Sequence, residues 1–332
     1  MLVLFCLLLR TENVSTQQKS APARAVVKVV AVPQLSSGPF LIAVEDGHFE
    51  REGIQIEYAT LSHSTQTLPS LINGDIDAML GGISPGYFNA IARGSSIRLV
   101  AGVHTPTPDE CPSFAIVISN PLAKKGGISR PRDLRGLKVA GDRAAIGQFF
   151  YEILLARDGL TPDDIELVDI ANSATRIELL KKGSLDVSFL GEPQLTMAIE
   201  SSSATLWMPV YTAAPNCQMT YISFGSRLLE KDPELGKKFL LGYLRGLEQY
   251  RRGKTPRNVE ILAKTTGLDP EFLKRACWSP AEKDGKIMLD FIKQVGAWCV
   301  RRGFADEDVP LEKLWDGRFL DYAHGVLQKE RK

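Results

Sequence analysis

The chain has 332 residues, more than one ordinary core holds and enough for two domains of common size. With 44% apolar and 24% charged residues and a net charge of +1, it lacks the excess charge that points to nucleic acid or an acidic membrane surface as a partner. Any ligand is therefore expected to be recognised locally, by a few side chains.

The one long apolar run, Leu2 to Leu9, falls far short of the roughly 20 residues that cross a bilayer. It reads as the apolar part of an export signal. A polar Ser/Thr/Gln stretch follows and leads to Ala21-Pro-Ala-Arg-Ala25, a plausible cleavage neighbourhood, although no Lys or Arg precedes the run and Arg10 follows it. Cys6 follows Phe5 rather than a small residue, which argues against a lipoprotein signal. Residues 1–25 are assigned to this signal and its linker.

From Val26 onward, strands and helices alternate. Val26 to Val32 is a continuous apolar run of the kind found in a buried parallel strand, and Gly38-Pro39 opens a helix that stops at Gly47. Ile54, Ile56 and Tyr58 alternate as a strand, Thr65 to Asn73 is helical up to Gly74, and Ile76 to Leu80 is a third strand. Ser84-Pro85 starts a helix closed by Gly94, and Ile97 to Val103 is the fourth strand. After a link containing Asn120-Pro121 and Gly126-Gly127, the scheme recurs. Lys138 to Ala140, Ile165 to Ile170 and Val187 to Leu190 are strands, with helices over Gly147 to Arg157 and Ala174 to Lys182. The remaining third reads as helices over Pro233 to Arg252, Pro256 to Lys264, Pro270 to Cys277 and Pro280 to Arg302, packed over the first lobe.

This recurrence is visible residue by residue. Leu71-Ile-Asn-Gly-Asp-Ile-Asp-Ala-Met-Leu-Gly-Gly82 returns 109 positions later as Leu180-Lys-Lys-Gly-Ser-Leu-Asp-Val-Ser-Phe-Leu-Gly191, setting Gly74, Asp77 and Gly82 on Gly183, Asp186 and Gly191. An offset of 110 sets Lys28-Val29 on Lys138-Val139. The chain is thus expected to hold two similar α/β lobes, each a mainly parallel sheet flanked by helices. Residues 26–112 with 220–332 form one lobe and 113–219 the other, joined near 105–118 and 212–222. Two such lobes enclose a cleft suited to a small molecule.

In open parallel sheets, ligands sit beyond the carboxyl ends of the strands, where loops lead into helix N-termini with unpaired N–H groups. That rule selects Pro33 to Gly38, Leu61 to Ser64, Gly81 to Ser84 and His104-Thr105 in the first lobe. In the second it selects Gly141 to Gln148, Ala171 to Ser173 with Asn172, and Gly191-Glu192-Pro193. Arg143 is the only fixed cation in these loops, suited to a carboxylate or sulfonate, or else a surface partner of Asp142. Glu192 either faces the cleft toward His63 and Ser84, accepting an N–H from a solute, or caps nearby backbone. His63 and His104 lack metal-ligand spacing, so each reads as a hydrogen-bonding or exposed imidazole.

Cys111, Cys217, Cys277 and Cys299 match no CxxC motif and suit buried thiols at least as well as bridges. Cys111 with Cys217, both flanking the links between lobes, or Cys277 with Cys299, are the pairings considered. No nucleophile–base signature, metalloprotease motif or phosphate loop occurs, so neither catalysis nor a metal or cofactor is expected.

Four segments resemble one family in its order. Phe40–Ile56 (FLIAVEDGHFEREGIQI) is similar to the A-x-E-x-G-x-F-x-x-x-G-(I/L)-x-(I/V) signature of solute-binding proteins for nitrate, sulfonate, taurine and thiamine-pyrimidine precursors. Asn73–Asp77 (NGDID), Asp133–Ala140 (DLRGLKVA) and Gly191–Pro193 (GEP) follow. The resemblance runs from about Val26 to at least Arg252. It implies the two-lobe periplasmic-binding fold (type II) with two interlobe crossovers, and an extracytoplasmic monomer that captures a small solute. That solute, a sulfonate, carboxylate or pyrimidine-like molecule, passes to the permease of an ABC importer with its ATPase, which is also the chain's link to the membrane. By the same resemblance Gln34, Ser37, Ser62, His63 and Ser84 match solute-binding loops. Ala144-Ala145 stand where Gly-Ser is common, and Gln148 where a His or other polar residue is frequent. Gly191 replaces a common Trp, so that an aromatic wall is either missing or supplied by Phe40. The alternative on this fold is an enzyme resembling the fungal pyrimidine synthases of thiamine biosynthesis, but their cysteine-rich segment has no counterpart here.

Overall fold

The computed structural model describes residues 24–31, 35–60, 64–141 and 145–331. Most of the expected export signal and linker (residues 1–23) and the candidates Gln34, Ser62, His63 and Arg143 lie outside the described residues.

Among the described residues the strands make two five-stranded sheets. They are β1 (Ala25–Ala31), β2 (Ile54–Thr60), β3 (Ala78–Gly81), β4 (Arg98–His104), β5 (Phe114–Ser119), β6 (Lys138–Ala140), β7 (Glu166–Val168), β8 (Val187–Gly191), β9 (Ala204–Pro209) and β10 (Thr220–Phe224). The first sheet runs β2-β1-β3-β10-β4 and the second β7-β6-β8-β5-β9, the same order in both lobes. The longer helices are α1 (Gly38–Glu45), α2 (Ser64–Asn73), α3 (Pro85–Ala92), α4 (Ile146–Arg157), α5 (Ser173–Lys182) and α6 (Gln194–Glu200). The C-terminal third adds α7 (Pro233–Tyr250), α8 (Pro256–Thr266), α9 (Pro270–Arg275), α10 (Leu289–Arg301) and α11 (Arg318–Glu330).

Pairing is parallel around β1 and β6 but antiparallel on both sides of β10 and β5, so each sheet is mixed rather than parallel through its centre. The cause is topological: β5 carries the chain out of the first sheet and β10 brings it back, and each enters its sheet reversed. Both are buried at every position, so they lack the alternating pattern of a half-buried strand.

The internal repeat has a structural cause. The Asp77 amide donates to Lys28 O at 2.8 Å, and the Lys28 amide donates to Asp77 Oδ2 at 2.8 Å. Asp186 does the same to Lys138, at 3.0 and 2.9 Å. Each carboxylate pins the start of a third strand to the first strand of its sheet. Gly74 and Gly183 end the preceding helices with φ of +80° and +70°, a conformation that costs a side chain energy and glycine little.

In the C-terminal third, Asp232, Thr255 and Asp269 each accept a backbone N–H of the first turn, ahead of Pro233, Pro256 and Pro270. Pro280 starts no helix, contrary to the sequence expectation. The segment after it pairs with β4 instead: Glu282 N donates to Val103 O at 3.0 Å and Gly102 N to Gly285 O at 2.8 Å, with Gly285 at φ +65° allowing the turn. Nor do these helices cover the first lobe alone. α10 sits between lobes, with Gly296 against the Phe88 ring of α3 on one side. On the other side Phe291 and Trp298 lie edge-on to Phe149 of α4, both at 5.7 Å between ring centroids.

The cysteine expectation is corrected as well. Cys111 and Cys277 are bonded, with Cα atoms 5.7 Å apart, while Cys217 and Cys299 are free and buried. Trp278 explains the pairing: stacked on Tyr250 at 5.3 Å, with its Nε1 donating to Leu273 O, it turns the chain after α9 back toward the first crossover.

Candidate functional site

Among the described residues the fold places Ser37, Ser84, Gln148 and Glu192 beyond the carboxyl ends of strands. Ser37 precedes α1, the first helix after β1, and is buried; Ser84, half-buried and extended, precedes α3 just beyond β3. Because β1 and β3 are neighbours, the two serines share one sheet edge. In the second lobe β6 and β8 are neighbours, and beyond them stand the N-terminus of α4 and Glu192. Ala145 precedes α4 and supplies no side-chain cap, while its carbonyl accepts the Gln148 amide at 3.0 Å.

Gln148, in the first turn of α4, is only 2% exposed. Its Nε2 donates to Glu152 Oε1 at 3.4 Å, and its Oε1 is buried without a partner.

Glu192 is equally buried, and its two carboxylate oxygens accept from Thr196: the hydroxyl at 2.7 Å and the amide at 3.3 Å. It therefore caps α6, the second of the two roles its sequence position allowed. Burial pushes its carboxyl up to about 7, opposed by the Thr196 hydrogen bonds and by the Lys254 ammonium of the first lobe. Asn172 is exposed and caps α5, accepting from the Thr175 amide at 3.0 Å.

Phe40 is no wall of the cleft. It is fully buried in the first lobe's core, 5.7 Å from the rings of Phe49 and Tyr58, because the α1 face that carries it packs inward. The space beside Gly191 is taken by Phe114, whose ring lies 2.5 Å from where a Cβ at position 191 would stand.

Several residues without a motif organise the crossovers. His104, fully buried at the end of β4, bonds Ser113 Oγ through Nε2 at 2.7 Å, and burial pushes its pKa down to about 3, so the ring is neutral. Gln218, on the returning crossover, donates to Thr105 Oγ1 at 3.0 Å and to Lys286 O at 2.8 Å, and accepts from the Met288 amide at 3.0 Å. It ties both crossovers to the segment before α10. In the sequence it is a lone amide between Cys217 and Met219; its one signal is a polar residue amid apolar neighbours.

This arrangement has known counterparts. The chain is 22% identical over 251 residues to the taurine-binding periplasmic protein of Escherichia coli, covering 73% of this chain and 74% of that protein. The periplasmic aliphatic sulphonate binding protein SsuA of Escherichia coli superposes with a TM-score of 0.72 at 18% identity, over 90% of this chain and 93% of that one. The periplasmic nitrate-binding protein NrtA of Synechocystis PCC 6803 does so with a TM-score of 0.72 at 15% identity, over 93% and 90%. The desulfurization enzyme DSZB shares the fold at a TM-score of 0.64 and 15% identity, over 92% and 100%. The structural likenesses establish a two-lobe binding-protein fold. Residues 34–252, more than half of the chain, match the family described as NMT1/THI5 like, and the chain belongs to that family.

Proposed function

We propose that this protein is an extracytoplasmic solute-binding protein of an ABC importer. It captures a small sulfonate, carboxylate or pyrimidine-like molecule between a lobe of residues 26–112 with 220–332 and a lobe of 113–219, and delivers it as a monomer to the permease and its ATPase. The observation that carries this reading is the pair of sheets with one strand order, joined by two crossovers, with Ser37, Ser84 and the α4 N-terminus at their carboxyl ends. Family membership and the curated taurine-binding relative support it. The Cys111–Cys277 bond suits an oxidising compartment.

The enzyme alternative is the weaker reading, although DSZB has this fold. Among the described residues the free thiols, Cys217 and Cys299, are buried and pushed up to about 12, the reverse of what an attacking thiolate needs. A thermal-shift screen of taurine, alkanesulfonates, nitrate, carboxylates and pyrimidines tests the proposal. A solute at 100 times its dissociation constant adds about 2.7 kcal/mol to stability. Absence of any shift, with nothing co-purifying by mass spectrometry, would refute it.

A further inference from the structure

We infer that Glu152 is a positioning residue of the solute site. By holding the amide of Gln148 in one orientation it presents a bare acceptor at the end of β6, and so favours solutes that carry an N–H or O–H donor. The inference rests on the solute-binding reading above and adds a chemical class to it.

Glu152 lies one turn after Gln148 on α4 and gathers three donors. Trp298 Nε1 reaches Oε2 at 2.9 Å, Arg302 Nε stands 3.3 Å from Oε1, and Gln148 Nε2 lies 3.4 Å from the same oxygen. Trp and Arg side chains only donate, so the carboxylate they surround acts as an acceptor, and the half of the Gln148 amide that faces it is the NH2. The carbonyl half is thereby turned away. Gln148 Oε1 is buried with no partner and lies 3.8 Å from where a Cβ on Gly141 would stand, at the carboxyl end of β6.

Folded proteins leave few buried acceptors unpaired, because each forgoes the hydrogen bond it would make in water. Here the acceptor lies beside the N-terminus of α4, the positive end of the helix dipole, which favours the opposite polarity in a ligand. A solute with both an acceptor group and a neighbouring donor satisfies both. A bare oxoanion suits the positive end of the helix but sets its lone pairs against Gln148 Oε1. Two of the three donors on Glu152 belong to α10 and the residue after it, so the orientation is set from outside the second sheet.

The test is calorimetry of the full chain with matched pairs that differ by one donor: taurine against ethanesulfonate, and glycolate against acetate. The wild type is expected to prefer the donor-bearing member by about tenfold, a typical worth for one buried hydrogen bond. Gln148→Met keeps the size, removes the acceptor and should bring the ratio near one. Glu152→Gln frees the Gln148 amide to invert and should also lower the ratio, with melting curves checking that it folds. Gln148→Met decides the matter alone if Glu152→Gln does not fold. Equal binding of both members by the wild type, or an unchanged preference in Gln148→Met, overturns the inference while leaving solute binding intact. Failure of every probe and of the wider solute screen overturns both.

Discussion

Asp77 and Asp186 hold the same place in the two lobes, each tying its third strand to the first, yet their surroundings differ. Asp77 is buried and also pairs with Arg227 Nη1 at 2.9 Å, whereas Asp186 is half-buried with no ion pair among the described residues. The next repeated positions diverge further. Ile83, buried and apolar, matches Glu192, buried and ionisable. Gly82 has its nearest neighbour, Met219 O, 3.4 Å from a would-be Cβ, while Gly191 has a Phe114 ring carbon at 2.5 Å. Duplicated backbone hydrogen bonding has thus been kept, and the side chains around it have been adapted to what each lobe packs against.

The aspartates offer the sharpest way to break this comparison. Asp77→Ala leaves the Lys28 amide unpaired and Arg227 with only the Val26 carbonyl, and is expected to cost about 3 kcal/mol, at the low end for a buried pair because Arg227 is partly exposed. Asp186→Ala removes one hydrogen bond and should cost about 1 kcal/mol. Equal losses in urea unfolding would mean that burial and the ion pair contribute nothing to the difference.

Glu192 should make stability depend on pH. Its folded-state pKa lies above its unfolded value, so folding favours the protonated form. The contribution is fully present in acid and is lost as pH rises from the ordinary glutamate range through about 7. The loss is about 3 kcal/mol, of the order implied by a shift from the ordinary glutamate value to about 7. Glu192→Gln should therefore be more stable than the wild type at pH 8 and differ little at pH 4. Parallel pH profiles for the two proteins would sink this account.

The glycines carry the smallest effect. Gly191→Ala forces a methyl into the Phe114 ring and should cost about 1.5 kcal/mol, against less than about 0.5 kcal/mol for Gly82→Ala. A reversed order in thermal melts would show that Phe114 moves aside at little cost.

The two lobes, most strand and helix positions and the strand-end location of the candidate site were legible because they rest on local signals. Apolar periodicity, Pro at helix starts, Gly at helix ends and the repeated Gly-x-x-Asp turn are all short-range. The antiparallel β5 and β10 were not legible, because their identity as strands depends on partners from the far side of a crossover. Glu192 shows the same limit within the site: its position at a strand end was readable, but Thr196, one turn on, claims both of its oxygens.

By itself, the sequence determined the α/β repeat and its punctuation, since turn geometry and backbone hydrogen bonding are written in neighbouring residues. Only the tertiary structure decided the Cys111–Cys277 pairing, the burial of Phe40, the lodging of α10 between lobes and the orientation of Gln148 by Glu152. Each depends on which distant side chains come within a few ångströms, a matter of packing that no local pattern encodes.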